Sequence, residues 1–284
     1  MSWPSGAGTT VAWVSDRELL AGYIDTWASS VDDLLRLLES LTPEEWTKPT
    51  DLPGWDVRAV AAHTAHLESV LAGRGEETAE IGEPAHVTSL MGQYTEIGVV
   101  NRRDVPPEAI VEEIRSATAE RLDLLRTDPP TDAAAKPELI FGGVPWSWGT
   151  LLRNRPLDVW MHEQDIRRAV GRPGGMDTPG AQHTTDYLTE SLGFVVGKRV
   201  APPAGTTVVL AVEGSPEIAV GVDESGRAQQ LAERPAEPTV RVSMDRPTYI
   251  AAAGGRRAVE PDAVDYDGDV VLGERIVAAL ATTP

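Results

Sequence analysis

Cysteine is missing from all 284 residues. Its absence excludes disulfides, cysteine-ligated zinc, iron–sulfur clusters and a catalytic protein thiol. Any thiol chemistry must therefore use a small-molecule thiol brought in as a cofactor. Basic charge is also short. Lys and Arg number 25 against 44 Asp and Glu, for a formal net charge of -19 and a pI near 4.6. Nucleic acid is not expected as a partner of so acidic a chain. Long apolar runs are lacking too: nowhere do 18 apolar residues follow one another, so no membrane span is expected. The opening Met1-Ser2-Trp3-Pro4 has neither a basic stretch nor an apolar core of the secretory type, which leads us to expect a cytoplasmic protein.

What is present fits a globular chain of two domains. Apolar residues make up 41% and charged residues 24%, and the length exceeds that of a typical single domain. Residues 1–14 are rich in Gly, Ser and Thr and are expected to be loose. From Asp16, Leu19, Leu20, Tyr23, Trp27, Val31, Leu34, Leu35 and Leu38 recur at steps of three and four and predict an amphipathic helix. A second helix follows Trp55, with Asp56 as its N-cap. On its wheel His63 lies on the apolar stripe with Val60, Leu67 and Val70, whereas His66 falls at the edge and is expected to face solvent. Residues 87–103 read as partly helical, a further helix starts at Pro106-Pro107 and ends at Pro129-Pro130, and residues 128–148 read as a loop. The segment from Thr150 to Val170 predicts a helix stopped by Gly171 and Pro173, and one more helix spans about Thr184 to Val200. Beyond Pro202-Pro203, β-branched runs at 206–212, 217–222 and 238–244 predict strands. Short helices are expected near 247–253 and 272–281. We therefore place a helix bundle at residues 1–202 and a small α+β domain at 203–284.

The helix of residues 150–170 carries a polar line, Arg155, Asp158, His162 and Asp165, beside an apolar stripe. Asp158 and His162 are four apart and so lie one above the other. With His63 from a facing helix they supply three metal ligands and leave a fourth position open, the arrangement of a catalytic rather than a structural zinc site. The same spacing also fits a hydrogen-bonded core His63 beside an Asp158 that caps a polar contact. Asp165 suits either a partner that orients His162 or a solvated helix face. No phosphate loop follows Gly142-Gly143, and no Gly-x-Ser-x-Gly elbow occurs.

The stretch Leu52-Pro53-Gly54-Trp55-Asp56-Val57-Arg58-Ala59-Val60-Ala61-Ala62-His63 resembles the opening of the second helix in the mycothiol-dependent maleylpyruvate isomerase family, a branch of the DinB-like metalloproteins. The run from Asp158 through His162 to Gly171 is similar to that family's second metal motif. Near the C-terminus, Val240–Asp245, Gly254-Gly255-Arg256-Arg257 and Asp267–Gly273 resemble its sterol-carrier-like domain, so the likeness runs nearly the full length. It implies a DinB-like four-helix bundle followed by a sterol-carrier-like α+β domain. It assigns the metal to His63, Asp158 and His162, with Asp158 standing where the founding enzyme has Glu.

The resemblance further implies a divalent metal, zinc being expected, and mycothiol as the thiol cofactor. The partners expected are that thiol and an electrophilic small-molecule substrate. Thiolate addition to a cis-alkene conjugated with a carbonyl would permit rotation and release of the trans isomer; simple release of the adduct would make the protein an S-transferase. Arg256 or Arg257 is the expected stabiliser of the developing enolate. Asn101 and Arg102 would clamp a carboxylate of substrate or cofactor, or else form a basic patch at a helix end. Trp146 and Trp148 would line the pocket mouth or pack on the end of the bundle. The alternative to an enzyme is a metal-stabilised protein that binds a ligand or partner, its site closed by a fourth ligand from His66 or Asp165.

Overall fold

The computed structural model describes residues 14–283. Of the opening segment expected to be loose, residues 1–13 lie outside that range. Helix α1 (Asp16–Glu39) starts at a capping box in which Ser15 and Glu18 satisfy each other's backbone donors. Helix α2 (Val57–Leu71) starts at Asp56, whose side chain accepts from the Ala59 amide. Helix α3 (Leu90–Asn101) is capped by Ser89, and α4 (Pro107–Thr127) begins with proline at its first position. Helix α5 (Trp148–Val170) is capped by Ser147 and stopped by Gly171 in the left-handed region at φ 70°.

Helices α1, α2, α4 and α5 form the four-helix bundle, and α3 lies against α2. Almost every residue of α2 is buried, because neighbours cover it on several sides. This corrects the expectation for His66, which is fully buried. Gly98 of α3 packs so close to it that a Cβ there would lie 2.3 Å from the His66 Cβ. The bundle core gathers Leu20, Trp27, Leu34, Val60, Ile110, Ile114, Leu152 and Ile166.

The expected single helix of residues 184–200 is instead three pieces. These are α6 (Pro179–Thr189), the short α7 (Leu192–Phe194) and a π-helical turn (Val195–Val200). Gly193 and Gly197 weaken the helix there, and Gly197 lets the backbone approach Ala228. The sheet that follows comprises β1 (Thr207–Val212), β2 (Ile218–Val222), β3 (Ala228–Gln230), β4 (Val240–Met244) and β5 (Val264–Gly268). Its order is β3-β2-β1-β4-β5, with only β1 and β4 parallel. Helices α8 (Arg246–Ala253) and α9 (Val270–Ala278) complete the α+β half. One core runs through both halves: Leu157, Trp160 and Met161 of α5 cluster with Leu188, Val195 and Val200 and with the sheet residues Val208, Leu210 and Val242. No helix among the described residues is long and apolar enough to cross a membrane.

Candidate metal centre

Helices α2 and α5 each present an imidazole toward the other. One donor atom from each of His63, Asp158 and His162 lies within 4.8 Å of the others, and among the described residues these three form the only such group. His63 Nε2 is 3.7 Å from Asp158 Oδ2, and His162 Nε2 is 3.7 Å from Asp158 Oδ1. Both separations are too long for hydrogen bonds. They are near the roughly 3.3–3.5 Å edge of a tetrahedron built on bonds of about 2.0–2.1 Å to zinc. The two histidine side chains are nearly sealed, whereas that of Asp158 is 23% exposed. The cluster therefore opens to solvent on the aspartate side.

The electrostatics suit a cation. Burial pushes the His63 imidazole down to about 4, although Asp158 pulls the other way, so the ring is neutral at pH 7, the form that binds a metal. Burial alone would raise the Asp158 carboxyl, but the Arg155 guanidinium and then His162 outweigh it and hold it well below the usual carboxylate range. His63 Nδ1 is buried with no hydrogen-bond partner. The Trp55 ring lies 5.1 Å from the His63 ring and 6.3 Å from that of His162, and its indole N–H donates to the buried Glu96 at 2.9 Å. Two imidazoles and one ionised carboxylate converging at this spacing fit a divalent ion of the zinc type.

Asp165 accepts from His162 Nδ1 at 3.2 Å, on the ring nitrogen that faces away from Asp158. This resolves its two sequence readings: it orients the histidine and is wholly buried. Nor does it, or His66, add a fourth donor to the group. Arg256 reaches from the loop after α8 and bonds both Asp165 oxygens, at 3.1 and 3.2 Å, and the Gly254 carbonyl at 2.6 Å. Arg168 also pairs with Asp165 and bonds Asp51 at 2.7 Å. Arg257 is more exposed and pairs with Asp51 at 2.9 Å. The second domain is thus tied to the α5 face that carries His162. A pocket of about 520 Å³ beside Arg256 and Arg257 extends toward Tyr266 and α9 and does not include the three donors.

The other sequence candidates lie elsewhere. Arg102 is buried between Glu77, at 2.6 Å, and Glu113, at 2.5 Å, and Asn101 donates to Glu77 at 2.7 Å. These partners take up the donors expected to clamp a carboxylate. Trp148 opens α5 and packs beside the bundle's apolar clusters, about 15 Å along the helix axis from Asp158. Trp146 packs edge-on against Phe141 with centroids 5.5 Å apart.

Sequence reasoning missed a buried charge array behind Asp158. Arg155 donates to Asp158 Oδ2 at 3.0 Å and to Glu68 at 2.7 Å, and Glu68 also receives Arg121 at 2.9 Å and the Trp27 indole at 3.1 Å. The signal for Arg155 was its place on the polar line of α5. Glu68 and Arg121 gave none that spacing could separate from a solvated face.

Residues 27–167 match the mycothiol maleylpyruvate isomerase N-terminal domain, and residues 182–275 match the C-terminal domain of the same family. The crystal structure of a mycothiol-dependent maleylpyruvate isomerase aligns over 90% of this chain and 96% of its own, with a TM-score of 0.52 and 20% identity. A mutant form of a mycothiol-dependent maleylpyruvate isomerase aligns over the same shares, with a TM-score of 0.49 and 19% identity. None of the curated proteins compared matches the chain significantly. The two domain matches, in order and spanning most of the sequence, show that the chain belongs to the mycothiol maleylpyruvate isomerase family, a family of enzymes.

Proposed function

We propose that this protein holds a divalent metal, zinc in the first instance, on His63, Asp158 and His162. With mycothiol as cofactor it would isomerise a cis-alkene conjugated to a carbonyl, maleylpyruvate being the model substrate. The observation that carries the reading is the convergence of three donors from two helices, within 4.8 Å of one another at an edge open to solvent. The family membership supports the choice of thiol and substrate, and a chain without cysteine must take its sulfur from outside.

The bound metal and thiol together would supply a thiolate nucleophile at neutral pH. The chain's own residues do the rest. Asp165 fixes the tautomer of His162 by accepting from Nδ1. Trp55 walls one side of both imidazoles and keeps water from that face. Arg256, tethered at Asp165, and Arg257 place positive charge from the second domain near the site, where it would offset negative charge developing on an enolate oxygen.

The test is to supply the zinc-loaded protein with mycothiol and maleylpyruvate and follow the alkene protons by NMR. Conversion to the trans isomer is expected only when the thiol is present. Asp158→Ala should keep its helical circular dichroism and lose both metal and turnover. Accumulation of a thiol adduct in place of the trans product would make the reaction S-transfer. A wild-type protein that binds no divalent metal, or turns over without thiol, overturns the proposal. The donor set also suits nickel and iron, so elemental analysis of the protein as purified decides the metal.

A further inference from the structure

The charge array behind Asp158 is costly to bury. Arg155 and Glu68 are both fully buried, and Arg121 is nearly so. Such ion pairs gain little or nothing over apolar side chains of the same size, because desolvation offsets their attraction. Stability is therefore a poor reason for the array, and its geometry offers a better one. Glu68 Oε1 receives Arg155 Nε at 3.0 Å and Nη2 at 2.7 Å, which locks the plane of the guanidinium. Glu68 is itself pinned by the Trp27 indole on Oε1 and by Arg121 on Oε2. One Arg155 nitrogen then remains directed at α5's own next turn, and it donates to Asp158 Oδ2 at 3.0 Å. Oδ1, the oxygen that Arg155 does not bond, is the one nearer His162, and the bonded Oδ2 is the one nearer His63.

We propose that Arg155, anchored by Glu68, is a positioning residue for the metal centre. By bonding Oδ2 it fixes the rotation of the Asp158 carboxylate, so that the group would bind the ion through one oxygen and leave a coordination position open for the thiol. This rests on the reading that His63, Asp158 and His162 hold a metal. Without the guanidinium the carboxylate is free to rotate and to bind through both oxygens, which fills the open position.

Metal affinity and the spectrum of the cobalt-substituted protein test this apart from turnover. Wild type, Arg155→Met, Arg155→Lys and Glu68→Gln are compared, with Zn²⁺ affinity read by competition against a chromogenic chelator and Co²⁺ read by visible absorption. Arg155→Met leaves Glu68 paired with Arg121 and removes the cation from Asp158; should it fail to fold, Arg155→Lys, which keeps the charge, carries the same readouts. The expected result is Zn²⁺ affinity lower by about 10–100-fold, the usual cost of losing a ligand's hydrogen-bond partner. The Co²⁺ bands should also weaken, as they do when coordination number rises. Glu68→Gln should move both readouts the same way by less. Wild-type affinity and spectrum in all folded variants would overturn the inference and leave the metal site standing. A fall in affinity with an unchanged Co²⁺ spectrum would also overturn it, since charge balance alone would then explain Arg155. A wild-type protein that binds neither ion would sink the metal site itself, and the inference with it.

Discussion

Replacing Asp165 by Asn tests how the second domain bears on the metal centre. The wild-type carboxylate is fully buried and has three partners: His162 Nδ1, both arms of Arg256, and Arg168. Asparagine keeps the shape and removes the charge. Arg168 retains Asp51, and Arg256, only 6% exposed at its side chain, loses the charge of the carboxylate that it bonds through two nitrogens. Removing one member of a buried pair costs about 3–5 kcal/mol. The neighbouring Asp51→Asn breaks pairs with Arg168 and with the 56%-exposed Arg257. Arg168 keeps Asp165 and solvent screens Arg257, so the loss should cost no more than about 1 kcal/mol. Urea unfolding of both metal-free variants at pH 7 should thus separate them by at least about 2 kcal/mol. Chelator competition should show Zn²⁺ affinity lower by about 10–100-fold in Asp165→Asn alone, because only that residue orients a ligand. Equal stability and equal affinity in the two variants would refute the claim that Asp165 joins the domains at His162.

Three further outcomes are expected. In the metal-free protein His63 resists protonation down to about 4 while the unfolded chain takes its proton near 6.5, so stability should fall as pH drops from 6.5 to 4, by about 3 kcal/mol, and level off below; urea unfolding across that range should show the slope, and His63→Gln should flatten it. Gly98→Ala gains about 1 kcal/mol in helix propensity but sets its Cβ 2.3 Å from that of His66; overpacking costs about 1–3 kcal/mol, so unfolding should show no gain, and His66→Ala in the same chain, which keeps the opposing Cβ, should not restore it. Arg102→Lys should destabilise the fold through Glu77 and Glu113 yet leave KM for substrate and thiol unchanged; a raised KM would return Arg102 to the clamp role that its sequence position suggested.

Helical periodicity made the bundle legible in the sequence, because α1 and α4 each bury one long apolar stripe. Caps marked the ends: Asp56 and Gly171 stand where propensity places them. The edge strands β3 and β5 escaped notice for the opposite reason. Ala228–Gln230 has no buried residue, and in Val264–Gly268 only Val264 is buried, so neither shows the alternation of an inner strand. His66 was misplaced because a single-helix wheel cannot know that α3 will cover the stripe's edge. The spacing of Asp158 and His162 put both on one face of α5, but only the tertiary fold shows His63 within reach of them. Partners such as Glu68 and Arg256 are distant in sequence and carry no local signature.

Residues 181–200 lie on the helical side of the junction expected at 202/203, yet Leu188, Leu192, Val195, Val196 and Val200 spend their apolar surface on the sheet beyond it. A chain severed at that junction would carry a greasy flank with nothing to cover it, and the sheet would lose its lining. The two halves are therefore expected to fail as separate expression products, and a shuffled relative would have to exchange them as one block that includes those helices.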